Sequence, residues 1–148
     1  MAGPPITPAR AAQLRRGLAL ERLTIGYNAL EGVIAIVAGL AAGSVALTGF
    51  GVDSVIEVSS GALLFWRLRA ELGSASVGAA VEARATRVAG ALLLALAVYI
   101  VFESGRRLLT QDRPEASAVG IVLMAVSLVV MPLLARAKLT TARALDSR

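Results

Sequence analysis

The fold is decided by Val45–Trp66, which reads VALTGFGVDSVIEVSSGALLFW. At about 1.5 Å per residue, this stretch is long enough to cross a bilayer as one helix. Its middle nevertheless carries two carboxylates, Asp53 and Glu57, which lie one helical turn apart on a single face. A charged side chain at the bilayer centre costs at least about 2.5–3.5 kcal/mol, so two on one face require a compensating partner. We therefore expect a bound cation or a transferable proton at this pair.

The composition of the whole chain is typical of a membrane protein. Apolar residues make up 57% of the 148 residues and charged residues only 17%, which is too little charge for a soluble surface. The net charge of +5 does not indicate a nucleic-acid partner, because the basic residues lie between apolar spans without interleaved aromatics. Since the chain has neither cysteine nor histidine, any metal must be held by oxygen atoms or by ligands of another chain. The lack of histidine and of a Gly-rich phosphate loop also argues against a hydrolytic enzyme, and we expect no catalytic residues.

Four apolar segments predict an all-α fold, a polytopic membrane helix bundle with four transmembrane helices. The expected transmembrane domain is 23–136, with spans at about 23–42, 45–66, 88–108 and 116–135. Residues 1–22 are expected to form an N-terminal tail and a surface helix that Thr7 caps, with Pro8 in its first position. Residues 137–148 are expected to form a C-terminal tail.

The distribution of Lys and Arg predicts the orientation of the spans. Twelve of the fifteen lie in 1–22, 67–87 and 136–148, all on one side of the membrane, and three lie on the other side. The positive-inside rule therefore places both termini in the cytoplasm. We expect a multi-pass protein of the cell (inner) membrane, with the lipid bilayer as its first partner.

The first two spans are expected to bring a polar layer together at mid-membrane. The connection Gly43–Ser44 is very short, so the two helices form an antiparallel hairpin. Counting the rise per residue from the cytoplasmic ends of the spans places Glu31 ~12 Å deep and Glu57 ~13 Å deep, close to one level. Asp53 lies ~19 Å deep, and Asn28 lies about one turn closer to the cytoplasm than Glu31. These four residues form the candidate metal site.

Each of these residues also has a purely structural interpretation. Protonated forms of Asp53 and Glu57 can hydrogen-bond to neighbouring serines or to Thr48 and serve only helix packing, although two acids one turn apart repel each other when both are ionised. Glu31 can simply hydrogen-bond to Asn28 or to a neighbouring backbone group. These alternatives stay open at the level of the sequence.

Other features indicate structure rather than function. Ala35, Gly39 and Gly43 repeat small residues every four positions, which allows a neighbouring helix to approach closely. Glu103 lies one turn before Arg106 at the far end of the third span, so we expect an ion pair with the arginines there.

The stretch GSVALTGFGVDSVIEVSSGALLFWRL, residues 43–68, resembles the first-to-second span region of the cation diffusion facilitator (cation efflux) family. In that family a Gly-Ser turn precedes an Ala-Leu pair and then a D-S-x-x-D/E element, here Asp53-Ser54-x-x-Glu57. Residues 87–138 resemble the family's third and fourth spans. The resemblance covers about 23–138.

The resemblance implies a divalent metal cation transporter that exports metal by proton antiport. In the family, two residues one turn apart on the second span supply half of a tetrahedral metal site, and they match Asp53 and Glu57. The second half, usually His-x-x-x-Asp, comes from a fifth span, which this sequence lacks together with the sixth. Glu57 also stands where Asp is commoner, which changes the cavity size and metal preference. Asn28 and Glu31 are expected to add direct or second-layer contacts.

Three explanations of the missing spans stay open. The chain is a truncated transporter, or it is a homodimer in which each copy gives half a site, or it keeps the scaffold without transporting. An all-oxygen site is compatible with Zn²⁺, Mn²⁺, Fe²⁺ or Co²⁺ as substrate, and no organic cofactor is expected.

Two alternative functions compete with metal transport. Four short spans with a membrane-embedded Glu31 resemble the small multidrug exporters, in which a dimer binds cationic organic molecules at that glutamate. A non-transporting membrane interaction module would depend on Gly39 and Gly43 and on none of the acids.

Overall fold

The computed structural model describes residues 7–73, 79–111 and 115–146. Across these ranges the chain forms four helices and no strand: α1 (Pro8–Ala41), α2 (Val45–Leu72), α3 (Ala79–Thr110) and α4 (Ala118–Asp146). All four contain segments that are long and apolar enough to cross a membrane. The predicted all-α, four-span membrane fold is therefore confirmed.

The helices continue beyond the predicted spans. The predicted surface helix and first span form one helix, α1, which begins at the cap that the sequence predicts: the Thr7 hydroxyl accepts from the backbone N–H of Arg10 at 3.3 Å. At the same end of the molecule α2 reaches Leu72 and α4 reaches Asp146, so most of the predicted tail is helical. Hydropathy marks only the apolar part of a helix, whereas helix propensity continues into the polar turns beyond it.

A tight turn joins α1 to α2. Gly43 has φ +59°, a left-handed conformation that glycine adopts at low cost. The backbone N–H of Ser44 then donates to the carbonyl of Gly39 at 2.8 Å, and the Ser44 hydroxyl accepts from Leu47 N at 3.3 Å to cap α2. The short antiparallel hairpin expected from the sequence follows from this turn.

Glycines let α1 and α2 pack in close contact. A Cβ atom at Gly39 would lie 2.5 Å from Thr48 Oγ1, and a Cβ atom at Gly51 would lie 2.6 Å from Ile36 Cγ1. Gly39 therefore makes the close approach that the small-residue repeat predicts, whereas Gly51 was not singled out from the sequence. These contacts fix which residues of α1 and α2 face each other across the hairpin.

The helices are packed in the order α4, α1, α2, α3. The largest interface is between α1 and α2, with α4 against α1 and α3 against α2. None of the residues in the apolar window of α3 is buried within the chain. α1 therefore lies between α2 and α4, and α3 lies at the edge.

Polar contacts tie the helices together at both ends. On the hairpin side, the Arg107 guanidinium donates to the carbonyl of Gly43, and Glu103 pairs with Arg107 and Arg106 with N–O distances of 2.9 Å. The predicted Glu103 ion pair is therefore confirmed. On the side of the chain termini, Arg10 Nε donates to Glu71 Oε1 at 2.8 Å. We call this second end the terminal side.

Candidate functional site

A stripe of buried polar side chains runs along α1. Glu21, Thr24, Asn28 and Glu31 are spaced three, four and three residues apart, so they share one helix face. Their exposed fractions are 2%, 7%, 0% and 1%. Such a stripe inside an apolar bundle is costly unless each polar atom has a partner or a function. We call these four residues the polar stripe.

The polar stripe meets α2 at Asn28 and Glu57. Asn28 Nδ2 donates to Glu57 Oε2 at 2.6 Å. Asn28 Oδ1 is also buried and has no hydrogen-bond partner among the residues that the structure describes. A buried unpaired oxygen costs about 1–3 kcal/mol, so a hydrogen-bond donor or a cation that reached it would stabilise the site.

A groove beside this pair gives a ligand room. The groove lies between α1, α2 and α4, has a volume of about 390 Å³, and has the polar lining residues Glu21, Thr24, Asn28, Glu57, Ser60 and Lys138. We call it the inner groove. The carboxylate, amide and hydroxyl oxygens among these side chains are groups that can bind a cation, and Lys138 and apolar residues complete the lining.

Glu31 lies one turn further from the terminal side and is enclosed by hydroxyl groups. Ser54 donates to Glu31 Oε2 at 3.0 Å, and the Ser127 hydroxyl is hydrogen-bonded to Glu31 Oε1. The Tyr27 hydroxyl oxygen lies 2.7 Å from the same Ser127 hydroxyl oxygen. Because Ser127 has a single hydroxyl proton, donation to Glu31 leaves its oxygen to accept from Tyr27. Glu31 is therefore held by α2 and α4 together.

Asp53 is placed differently from the other three candidates. It is half-buried and forms no hydrogen bond or ion pair within the described ranges of the chain. It lies one turn from Glu57, within electrostatic range of that carboxylate. Glu57 itself is exposed at the surface of the chain, so a second molecule or a cation can reach it.

The four candidate residues do not form one layer. Glu57 faces Asn28, and Glu31 faces Ser54, so the predicted common level of Glu31 and Glu57 is wrong by about one turn. The prediction counted depth from the ends of the apolar spans, whereas glycine contacts such as those of Gly51 set the register. In the described part of the chain, no group of three or more acidic side chains is arranged to hold a metal ion.

Sequence reasoning missed three members of this region. Ser127 lies in the span without charges, where a single serine carries little signal. Glu21 and Lys138 were assigned to polar segments outside the membrane, yet they form an ion pair with an Nζ–Oε1 distance of 2.9 Å. The spacing of Glu21 to Thr24, Asn28 and Glu31 was the available signal, because it places all four on one face.

The chain matches no protein-family model, no curated protein and no solved structure.

Proposed function

We propose that this membrane protein transports a divalent metal cation by proton antiport, with Asp53, Glu57, Asn28 and Glu31 as the residues that handle the cation and the protons. The observation that carries the proposal is the buried, unpaired Oδ1 of Asn28, a residue that lines the inner groove and is hydrogen-bonded through Nδ2 to the Glu57 carboxylate. A neutral oxygen and a carboxylate oxygen together attract a cation, whereas neither attracts an anion. The resemblance of residues 43–68 to cation diffusion facilitators also supports a cation as the substrate.

The donor set favours cations that accept oxygen ligands. Glu57 and Asn28 supply a carboxylate and a carbonyl oxygen, and Asp53 adds a second carboxylate on the same helix one turn away. Mn²⁺, Fe²⁺, Co²⁺ and Zn²⁺ all bind such groups, although Zn²⁺ sites usually have four ligands. We propose that a second copy of the chain completes the ligand set, since Glu57 is exposed and Asp53 has no partner within the described ranges.

The exchange with protons follows from the charges. A divalent ion binds the carboxylates of Asp53 and Glu57 only after their protons leave, so metal and protons compete for one pair. Glu31 keeps its own hydroxyl partners and acts as a separate acid one turn further in. Rocking of the helices then exposes the pair to alternate sides of the membrane.

Metal uptake into proteoliposomes tests the proposal. With an outwardly directed proton gradient, we expect Mn²⁺ or Zn²⁺ uptake by the wild type and its loss in Asp53→Ala and Glu57→Gln. Glu103→Gln is the matched control, because Glu103 is a helix carboxylate whose partners are arginines at the other end of the bundle. Full uptake by Asp53→Ala would contradict the proposal.

A second candidate function is supported by another groove. An apolar groove of about 550 Å³ between α1 and α4 is lined by Tyr27, Leu30, Glu31, Ile34 and several valines. A carboxylate and an aromatic ring beside apolar walls suit a lipophilic organic cation. If this groove is the substrate site, Glu31→Gln abolishes resistance to toxic organic cations and Asp53→Asn leaves it intact. The reverse pattern favours metal transport.

A further inference from the structure

Glu21 and Lys138 form an ion pair between α1 and α4 in which the carboxylate is buried. The Lys138 ammonium lies 2.9 Å from Glu21 Oε1 and 3.1 Å from Oε2, so it contacts both carboxylate oxygens. The Glu21 side chain is 3% exposed and that of Lys138 is 32% exposed. A carboxylate this deeply buried depends on its cationic partner, because removal of one partner leaves an uncompensated charge.

The pair lies where two grooves meet. On the terminal side, a groove of about 350 Å³ has Arg10, Glu71 and Ala142 among its lining residues, and we call it the terminal groove. The terminal groove and the inner groove share three lining residues, which are Glu21, Leu64 and Lys138. These shared side chains lie between the terminal groove and the part of the inner groove that contains Asn28 and Glu57.

Lys138 also influences the far end of the inner groove. Its ammonium is within electrostatic range of Glu57 as well as bonded to Glu21. While the ammonium lies here, its positive charge repels a mobile cation that approaches Glu57 from the terminal side. Lysine has a long, flexible side chain that can move its charge to solvent while its methylene groups stay in place. Movement of Lys138 away from Glu21 would connect the two grooves and let the Glu21 carboxylate accept a cation in place of the ammonium.

We propose that the Glu21–Lys138 ion pair is a gate on the terminal side, and that Glu21 binds the substrate cation in passing when Lys138 swings away. The proposal rests on the proposed function for the identity of the substrate, a divalent cation. In the closed gate the lysine ammonium occupies the place of that cation. Opening exchanges one positive charge for another at Glu21, so the buried carboxylate is never left unpaired.

Thiol accessibility tests the gate without any transport measurement. The natural chain has no cysteine, so each introduced cysteine is the only thiol that the reagent can modify. Thr24→Cys places a thiol in the inner groove only, and Ala142→Cys places one in the terminal groove only. A membrane-impermeant, positively charged thiosulfonate is applied to the terminal side of vesicles that contain the full chain, and the rate of modification is measured.

We expect Lys138→Met to speed modification of Thr24→Cys by about tenfold or more, which corresponds to a closed state favoured by at least ~1.4 kcal/mol. Modification of Ala142→Cys is expected to stay unchanged. The reversed pair, Glu21→Lys combined with Lys138→Glu, is expected to restore slow modification of Thr24→Cys, because the ion pair is present again with its charges exchanged.

Arg10→Gln provides the matched control. Arg10 pairs with Glu71 beside the terminal groove and does not line the inner groove, so its loss is expected to leave Thr24→Cys protected. If Thr24→Cys is modified at the same rate with and without Lys138→Met, the gate is overturned. It is also overturned if Lys138→Met speeds modification of Ala142→Cys as much as that of Thr24→Cys. If thiol modification follows the expected pattern but the protein transports no metal, only the proposed function is refuted and the gate stands.

Discussion

The most stringent test of the fold is an added methyl group at Gly39. In Gly39→Ala, the new Cβ atom would lie 2.6 Å from the backbone nitrogen of Thr48 and 3.0 Å from its Cα, as well as 2.5 Å from its hydroxyl. Rotation of the Thr48 side chain relieves only the last of these contacts. The α1 and α2 backbones must therefore move apart by roughly 1 Å, in an interior packed at crystal-like density.

The free-energy cost of that movement sets the expected loss of stability. Overpacking of a tightly packed interface costs about 1–3 kcal/mol, and we expect Gly39→Ala to lower the free energy of unfolding by that amount. Gly26→Ala is the matched control on the same helix, because a Cβ atom at Gly26 has no neighbour within 4 Å. Its expected effect is neutral, or stabilising by up to ~1 kcal/mol through higher helix propensity.

Reversible unfolding of the purified protein in mixed micelles, followed by circular dichroism during titration with sodium dodecyl sulfate, measures both variants. The expected result is a lower midpoint for Gly39→Ala than for the wild type and an unchanged or higher midpoint for Gly26→Ala. If both variants unfold at the wild-type midpoint, α1 and α2 do not approach each other as closely as described, and the register of the polar stripe is wrong.

Two further predictions concern the polar side chains. Asn28→Leu removes the unpaired oxygen and is expected to weaken Mn²⁺ binding by ~10–100-fold in a titration of the purified protein. Asn28→Asp keeps an oxygen at this position and is expected to retain binding. Equal Mn²⁺ affinities of the two variants would contradict the assignment of Asn28 as a ligand. Ser127→Ala removes a hydroxyl donor from buried Glu31 and is expected to cost about 1–3 kcal/mol of stability. Ser59→Ala removes only a bond to the helix's own backbone at an exposed position and is expected to stay within about 0.5 kcal/mol, so a larger loss there than at Ser127 would refute the assigned role.

Much of the fold could be predicted from the sequence because the signals are local. Hydropathy marks each apolar segment, Thr7-Pro8 marks the start of α1, and Gly43–Ser44 marks the hairpin. The repeat that includes Gly39 even indicates a close contact between α1 and α2. The helix ends were less predictable, because the polar turns that extend α2 to Leu72 carry no hydropathy signal.

The site was harder to predict because it depends on register and on helix order. A difference of about one turn in the α1–α2 pairing puts Asn28 opposite Glu57 and puts Glu31 opposite Ser54. Ser127 comes from a distant helix, and only the packing of α4 against α1 brings it to Glu31. Residue types and spacing identify the acids, whereas the partners of those acids come from tertiary packing.

Proton release on metal binding tests the central claim most directly. Mn²⁺ or Zn²⁺ is added to the purified protein in weakly buffered detergent solution, and a pH-sensitive dye reports the protons released for each metal ion bound. We predict release from the wild type and reduced release from Glu57→Gln, because the metal displaces protons from the carboxylates in the inner groove. Metal binding without proton release, or full release from Glu57→Gln, would contradict the account.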